Sequence, residues 1–244
     1  MQLNARFTLG AALVALISLQ VAFAGEAEVK KGVEAWLGSN APKVAGVRKL
    51  DGLGIYEVQI DGDLIYTDEK VTFVVLGDIV DTKSRKNITE ERKLKLSQIK
   101  FSDLPLDLAI KQVKGNGKRV LATFEDPNCG YCKKLAKELG SLTDVTVYTF
   151  IYPIFPNSGD ISKAIWCAPD RTKAWNDYLL NGTAPTNGTG KCDTAGLEKS
   201  TALGHNLNIR GTPALFFADG SRVPGYMPAA ALEKALDKGS APTK

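Results

Sequence analysis

The sequence predicts a chain of mixed α and β structure in two folded parts, a small N-terminal α+β domain and a larger C-terminal α/β domain. Three observations carry this. Short runs of alternating apolar and polar residues recur between about 54 and 76, the period-two signature of half-buried strands. From about residue 120 the pattern changes to strands that alternate with helical runs. Between one such strand, 120–124, and one such helix, 133–139, stands Cys129-Gly130-Tyr131-Cys132, a dithiol at a strand-to-helix junction.

The elements follow in chain order. Residues 1–24 read as a secretory leader. Arg6 is its only charged side chain, an apolar stretch covers about 7–21, and Ala22-Phe23-Ala24 has the small-x-small pattern that predicts cleavage after Ala24. The stretch is too short and too polar for a good spanning helix. Cleavage would leave 220 of the 244 residues, with 30 basic and 27 acidic side chains and a net charge of +3. So mild and scattered a balance argues against nucleic acid as a partner. A single histidine, His205, and two methionines argue against a His-based metal site, and no metal or cofactor is expected.

Residues 25–85 are expected to form the first domain. Val29, Val33 and Leu37 share one helical face. Strands are expected at 54–60, 64–67 and 71–76, divided by Asp61-Gly62-Asp63 and Asp68-Glu69-Lys70, with 79–81 continuing the meander. About 60 residues of this kind bury little core alone, and their exposed edges favour pairing with a second copy. Residues 86–107 read as a linker region: a mostly polar helix over 90–100, preceded by Thr89 and followed by Pro105.

Residues 108–244 are expected to form the second domain. At 108–113 the period does not decide between helix and strand. Gly115-Asn116-Gly117-Lys118 is a turn without the spacing of a phosphate loop. Strand 120–124 leads into the dithiol helix, and 145–151 is a clear strand. Helical material spans about 160–180 with Trp166 and Trp175 in the core, then a Gly-, Thr- and Asn-rich loop over 183–191, then a helix over 195–207. Runs 214–218 and 222–225 flank an Asp219-Gly220 hairpin turn, and Pro228 opens a last helix to about 236. This β-α-β … α-β-β-α order is that of the thioredoxin fold with a helical insertion after its second strand.

All four cysteines, Cys129, Cys132, Cys167 and Cys192, lie in the second half. In an exported chain an even count suggests two bridges. The rival is a four-thiolate zinc site. Such sites show two close pairs, and here only one pair is close. Cys167 and Cys192, 25 positions apart, fit a structural disulfide better. Cys129 opens a helix, where unpaired N–H groups and the macrodipole favour a thiolate.

Five blocks extend the match beyond the fold: 126–135 around the dithiol, Ala164-Ile165-Trp166-Cys167-Ala168, Cys192-Asp193, Gly211-Thr212-Pro213-Ala214 and Val223-Pro224-Gly225-Tyr226. In order and spacing they resemble the DsbC/DsbG family of bacterial periplasmic thiol:disulfide interchange proteins. The N-terminal meander resembles, more loosely, that family's cystatin-like dimerisation domain. The resemblance implies a periplasmic V-shaped homodimer with two facing thioredoxin-like domains. It implies a Cys129–Cys132 pair kept reduced by a DsbD-like membrane reductase, a structural Cys167–Cys192 bridge, and a cis bond at Thr212-Pro213 beside the dithiol.

On that reading Cys129 is the nucleophile that attacks wrong disulfides in secreted proteins, and Cys132 is the resolving thiol. Gly130 and Tyr131 shape the site, and the Thr212 backbone is placed to pair with an extended substrate. The reduction potential is expected within or near about −120 to −180 mV, on the oxidising side of thioredoxin. One departure stands out. Thr123, six residues before Cys129, occupies the place of thioredoxin's buried acid. Glu125 and Asp126 are near, but strand alternation leaves their orientation open and neither is assigned as a base. Two other functions compete. One is a holdase chaperone that uses the dimer cleft, and the other is a DsbG-like reductase for single oxidised cysteines. The motif of the latter usually carries Pro where Gly130 stands.

Overall fold

The computed structural model describes residues 14–185 and 192–239, with side chains described from Gly25 onward. The expected leader lies largely outside the described residues, as does most of the expected loop 183–191. The chain divides into two compact units, with the boundary between Lys93 and Leu94. Among the described residues no helix is long and apolar enough to cross a membrane.

The first unit packs helix α1 (Val14–Leu37) on an antiparallel sheet of β1 (Val44–Leu50), β2 (Ile55–Ile60), β3 (Asp63–Thr67) and β4 (Val74–Val75), in that spatial order. Val29 and Val33 of α1 meet Val44, Tyr56, Val58 and Ile65, so the expected apolar helix face does build the core. Strand β1 has no counterpart in the sequence reading. Gly46 and two basic residues obscure its alternation, and its register against β2 shifts between Val44 and Gly46. The Asp61-Gly62 turn takes positive φ at both positions, the geometry that joins two twisted strands tightly.

The strand expected at 71–76 shrinks to two residues. The Asp68 carboxylate accepts the Thr72 N–H (2.6 Å) and hydroxyl (2.7 Å), and Val71 takes a positive φ of 54°. This local side-chain turn competes with the ladder and prevents pairing until Val74. The expected continuation at 79–81 is a single bridge between Val80 and Asn87. Helix α2 (Ile88–Leu96) starts earlier than expected because Asn87 caps it, accepting the Glu90 N–H at 2.9 Å. Thr89 instead lies buried, 2.5 Å from the Tyr66 hydroxyl. Buried Glu57 on β2 accepts from Arg48 (2.8 Å) and from Arg92 of α2 (3.0 Å). The first turns of the helix that the sequence offered as a polar linker are thus packed on the first unit through polar contacts.

In the second unit a single turn at Phe101–Asp103 and another at Leu106–Leu108 precede β5 (Ile110–Lys114), which settles the undecided stretch as strand. The sheet runs β5-β7-β6-β8-β9, with β6 (Arg119–Glu125), β7 (Val145–Ile151), β8 (Ala214–Phe217) and β9 (Arg222–Pro224). Only β6 and β7 are parallel, joined by α3 (Gly130–Ser141). Helices α4 (Ser158–Trp166), α5 (Arg171–Asn181) and α6 (Ala195–Asn206) form the insertion between β7 and β8, and α7 (Ala229–Gly239) ends the described chain.

The sheet is covered on both faces, which is why its inner strands read as near-continuous apolar runs. On one face Leu135, Leu139, Leu232 and Leu236 cover Leu121, Val147 and Leu215. On the other, Phe124 stacks on Phe150 at 4.6 Å and meets Phe216 edge-on. Gly204 admits the Tyr152 ring to the face of α6, since a Cβ there would lie 2.4 Å from a ring carbon. The segment ahead of β5 is fixed to the β8–β9 hairpin by the Ile99 N–H donating to the Gly220 carbonyl at 3.1 Å.

Candidate active site

Strand β6 ends at Glu125, the chain turns through Asp126-Pro127-Asn128, and Cys129 takes the cap position of α3 with extended φ and ψ. One buried carboxylate sets this turn. Asp126, fully buried, accepts the Asn128 N–H (2.7 Å), the Ser158 hydroxyl (2.6 Å) and the N–H groups of Ile154 (2.7 Å) and Phe155 (2.9 Å). Asn128 continues the network, donating to Ser158 Oγ at 3.1 Å and accepting from Tyr178 at 2.7 Å. Asp126 therefore holds the dithiol loop against the segment that follows β7.

Cys129 is 4% exposed and Cys132 is fully buried, and neither is in a disulfide. The Thr212-Pro213 bond is cis, and Cys129 Sγ lies 3.2 Å from the Thr212 carbonyl oxygen. Cys129 is pulled down to about 5, chiefly by a hydrogen bond from the Cys132 thiol. The nearby Thr212 side chain and the backbone N–H groups of Cys132 and Tyr131 add to this, against the opposing effect of burial. Cys132 is pushed far up by burial first and by its bond to Cys129 second. Their environments separate the two sulfurs into a thiolate and a thiol at neutral pH.

Tyr131 is 58% exposed beside Cys129, tilted against Tyr226 at 6.3 Å between ring centres. Lys133 and Lys134 sit over the rings of Tyr178 and Tyr131, at 5.3 and 5.0 Å. His205 lies 3.2 Å from the Tyr152 hydroxyl. Cys167 and Cys192 form a disulfide of 2.08 Å, separate from the free pair. Among the described residues no cluster of His, Cys, Asp or Glu is arranged to hold a metal.

Sequence reasoning left Glu125 and Asp126 unassigned, and the structure separates them. Asp126 turns into the loop. Glu125 is 1% exposed and turns back along β6, where its Oε1 accepts the Thr123 hydroxyl at 2.7 Å. Burial raises its carboxyl to about 8, against the Thr123 bond and with help from the Cys129 charge. The Thr123-x-Glu125 spacing was the available signal, since residues two apart on a strand share a face.

Comparison with known proteins accords with this geometry. Residues 106–240 match the model of a thioredoxin-like domain. The chain belongs to the thioredoxin-like family. Residues 20–90 match the N-terminal domain of disulfide bond isomerase proteins, so the DsbC-like character extends over both units. A probable thiol:disulfide interchange protein DsbC of Bordetella parapertussis is 52% identical over 184 residues, 75% of this chain and 65% of the relative. The chain thus spans just under two thirds of the length of that relative. The thiol:disulfide interchange protein DsbC of Escherichia coli K12 is 27% identical over 231 residues, 91% of this chain and 94% of that one. A crystal structure of a disulfide interchange protein from Neisseria gonorrhoeae matches with 40% identity and a TM-score of 0.53, covering 56% of this chain and 99% of that one.

Proposed function

We propose that this chain is an exported thiol:disulfide isomerase and reductase. Cys129 attacks a non-native disulfide and forms a mixed disulfide. A substrate thiol then displaces it, which is isomerisation, or Cys132 does, which releases the substrate reduced. The observation that carries this reading is the division of labour in the dithiol: a sulfur held near 5 at the cis-proline, backed by a buried, protonated partner. A low value also makes Cys129 a good leaving group, which both outcomes need. Gly130, Tyr131, Thr212 and Pro213 frame the substrate, and the Cys167–Cys192 bridge stabilises the helical insertion.

The working form is a homodimer in the periplasm, acting on misoxidised secreted proteins and reduced by a DsbD-like membrane partner. Supporting the dimer are the match of the first unit to the isomerase N-terminal domain and the exposed Phe73, Val75, Leu76 and Val80 along its β4 side. Refolding of a scrambled multi-disulfide protein tests the chemistry. Cys129→Ala abolishes native-bond recovery and Cys132→Ala accumulates a covalent complex with substrate. Survival of isomerisation in Cys129→Ala would sink the mechanism. Light scattering tests the assembly, and a stable monomer would count against it.

A further inference from the structure

We propose that Glu138 acts through Tyr226 to hold an aromatic shelf beside the dithiol, and that this shelf selects substrates with an apolar side chain next to the attacked cysteine. Glu138 is then a positioning residue, and Tyr131 and Tyr226 are the groups that meet the substrate. The proposal rests on the exchange reading above and names which polypeptides that site prefers.

Tyr131, Lys134 and Glu138 recur at three- and four-residue steps along α3, which puts them on one face of the helix. Tyr226 lies along that face. Its ring stands 6.3 Å from the Tyr131 ring, and its hydroxyl donates to Glu138 Oε1 at 2.7 Å, further down the helix. The other carboxylate oxygen, Oε2, accepts the Ala229 N–H at 3.0 Å, where α7 begins. Accepting from Tyr226 holds the Glu138 carboxyl below its ordinary value, so the acceptor stays charged at neutral pH. On the backbone side Gly225, at a φ of 118°, turns its N–H onto the Pro213 carbonyl at 2.8 Å. Tyr226 is therefore tied through its neighbour to the cis-proline turn and through its hydroxyl to the dithiol helix.

The core that includes Leu135 and Leu139 backs Tyr226, while Tyr131 stands exposed with the Lys134 ammonium 5.0 Å from its ring centre. Rings set in place before binding lose little freedom when a substrate arrives, which is what a positioning carboxylate supplies. The occupant that fits is an apolar side chain of the polypeptide under attack. Both members of the shelf are aromatic, and the shelf continues from the turn at Thr212 and Pro213. Cysteines and apolar residues are mostly buried in a native protein and open in a misoxidised one. A shelf for apolar flanks thus favours wrong disulfides over correct ones.

The test uses short peptides whose single cysteine forms a mixed disulfide with a chromogenic aromatic thiol, flanked on either side by Phe or by Gly. The mercaptoethanol disulfide of the same thiol is the reference, so the chromophore is common to all. Cys129 bonds to the aliphatic sulfur, and the coloured thiolate leaves with the electron pair of the broken bond. The parent protein is expected to favour a Phe-flanked peptide over the Gly-flanked one by roughly threefold to tenfold, through tighter binding rather than a faster limiting rate. No preference with Phe on either side overturns the shelf. Glu138→Ala and Tyr226→Phe are each expected to bring the preference below about twofold while the reference rate stays within about twofold of the parent. A loss shared equally by peptides and reference marks a merely structural role and overturns the assignment. Glu138→Gln keeps an acceptor for the Tyr226 hydroxyl and is expected to keep most of the preference. A loss as complete as in Glu138→Ala assigns the effect to the start of α7 and overturns the role of the Tyr226 bond. Adding Glu138→Ala to Tyr226→Phe should cost no further preference, and additive losses overturn the claim that one acts through the other. Absence of colour from the reference in the parent protein would instead refute the exchange reading itself.

Discussion

Cys132→Ala tests where the reactivity of Cys129 comes from. The largest cause of its low value is the hydrogen bond from the Cys132 thiol, ahead of Thr212 and the helix N–H groups. A hydrogen bond to a charged group is worth about 1.5–3 kcal/mol, which at about 1.36 kcal/mol per unit is roughly 1–2 pKa units. Starting from a value of about 5, half of Cys129 is thiolate at pH 5. An upward shift of 1–2 units leaves roughly 9% to 1%, so alkylation by iodoacetamide at pH 5 should slow about fivefold to fiftyfold. At pH 8 both proteins are mostly thiolate and should react at similar rates. Cys132→Ser, which keeps a donor, should lie between them. The readout is the mass shift of the reduced protein against time at several pH values. Cys132 itself, buried and protonated, should not contribute in the parent. If Cys132→Ala titrates with the parental midpoint, the thiol–thiolate bond is not what lowers Cys129, and the helix terminus and Thr212 must carry the effect.

Three further outcomes follow from particular contacts. Asp126→Asn places an amide donor against N–H groups that now meet an oxygen, and should cost about 3 kcal/mol in denaturant unfolding; an unchanged midpoint would mean that the loop is held by something else. Gly204→Ala puts a methyl 2.4 Å from the Tyr152 ring and should destabilise by about 1–3 kcal/mol through overpacking, read as a lower melting temperature. Glu125→Gln should affect stability in a pH-dependent way. The folded protein holds this proton up to about 8 while the unfolded chain releases it near 4.5, so Glu125 erodes stability as pH rises through that window. The variant should gain on the parent by a growing margin from pH 5 to pH 8, and a gap that shrinks would contradict the raised carboxyl.

The dithiol, the strand before it, the strand after its helix and the closing hairpin were legible because each combines a strong periodic signal with local turn chemistry. What escaped was decided by contacts between distant residues. Strand β1 has weak alternation of its own and is defined by the ladder it forms with β2. The run at 71–76 has good strand composition, yet one carboxylate, Asp68, curls its first half into a turn. Polar α2 looked solvated because its burial runs through Thr89 and Arg92 rather than through a leucine stripe. At the site, alternation alone could not say which of two adjacent acids faces the sulfurs. That was fixed by the Asp126 bonds to residues about 30 positions away.

Those same bonds limit how far the tetrapeptide can travel. Cys129-Gly130-Tyr131-Cys132 carries two sulfurs and a helix start, but the tilt of its loop is set at Ile154, Phe155 and Ser158, and Thr212 meets Cys129 from 83 positions away. Grafting the four residues onto another strand-to-helix turn would transfer the reagent without its tuning. A portable version would need at least the carboxylate that fixes the loop and the proline turn that faces it, so the smallest transferable unit of this chemistry is close to the whole sheet.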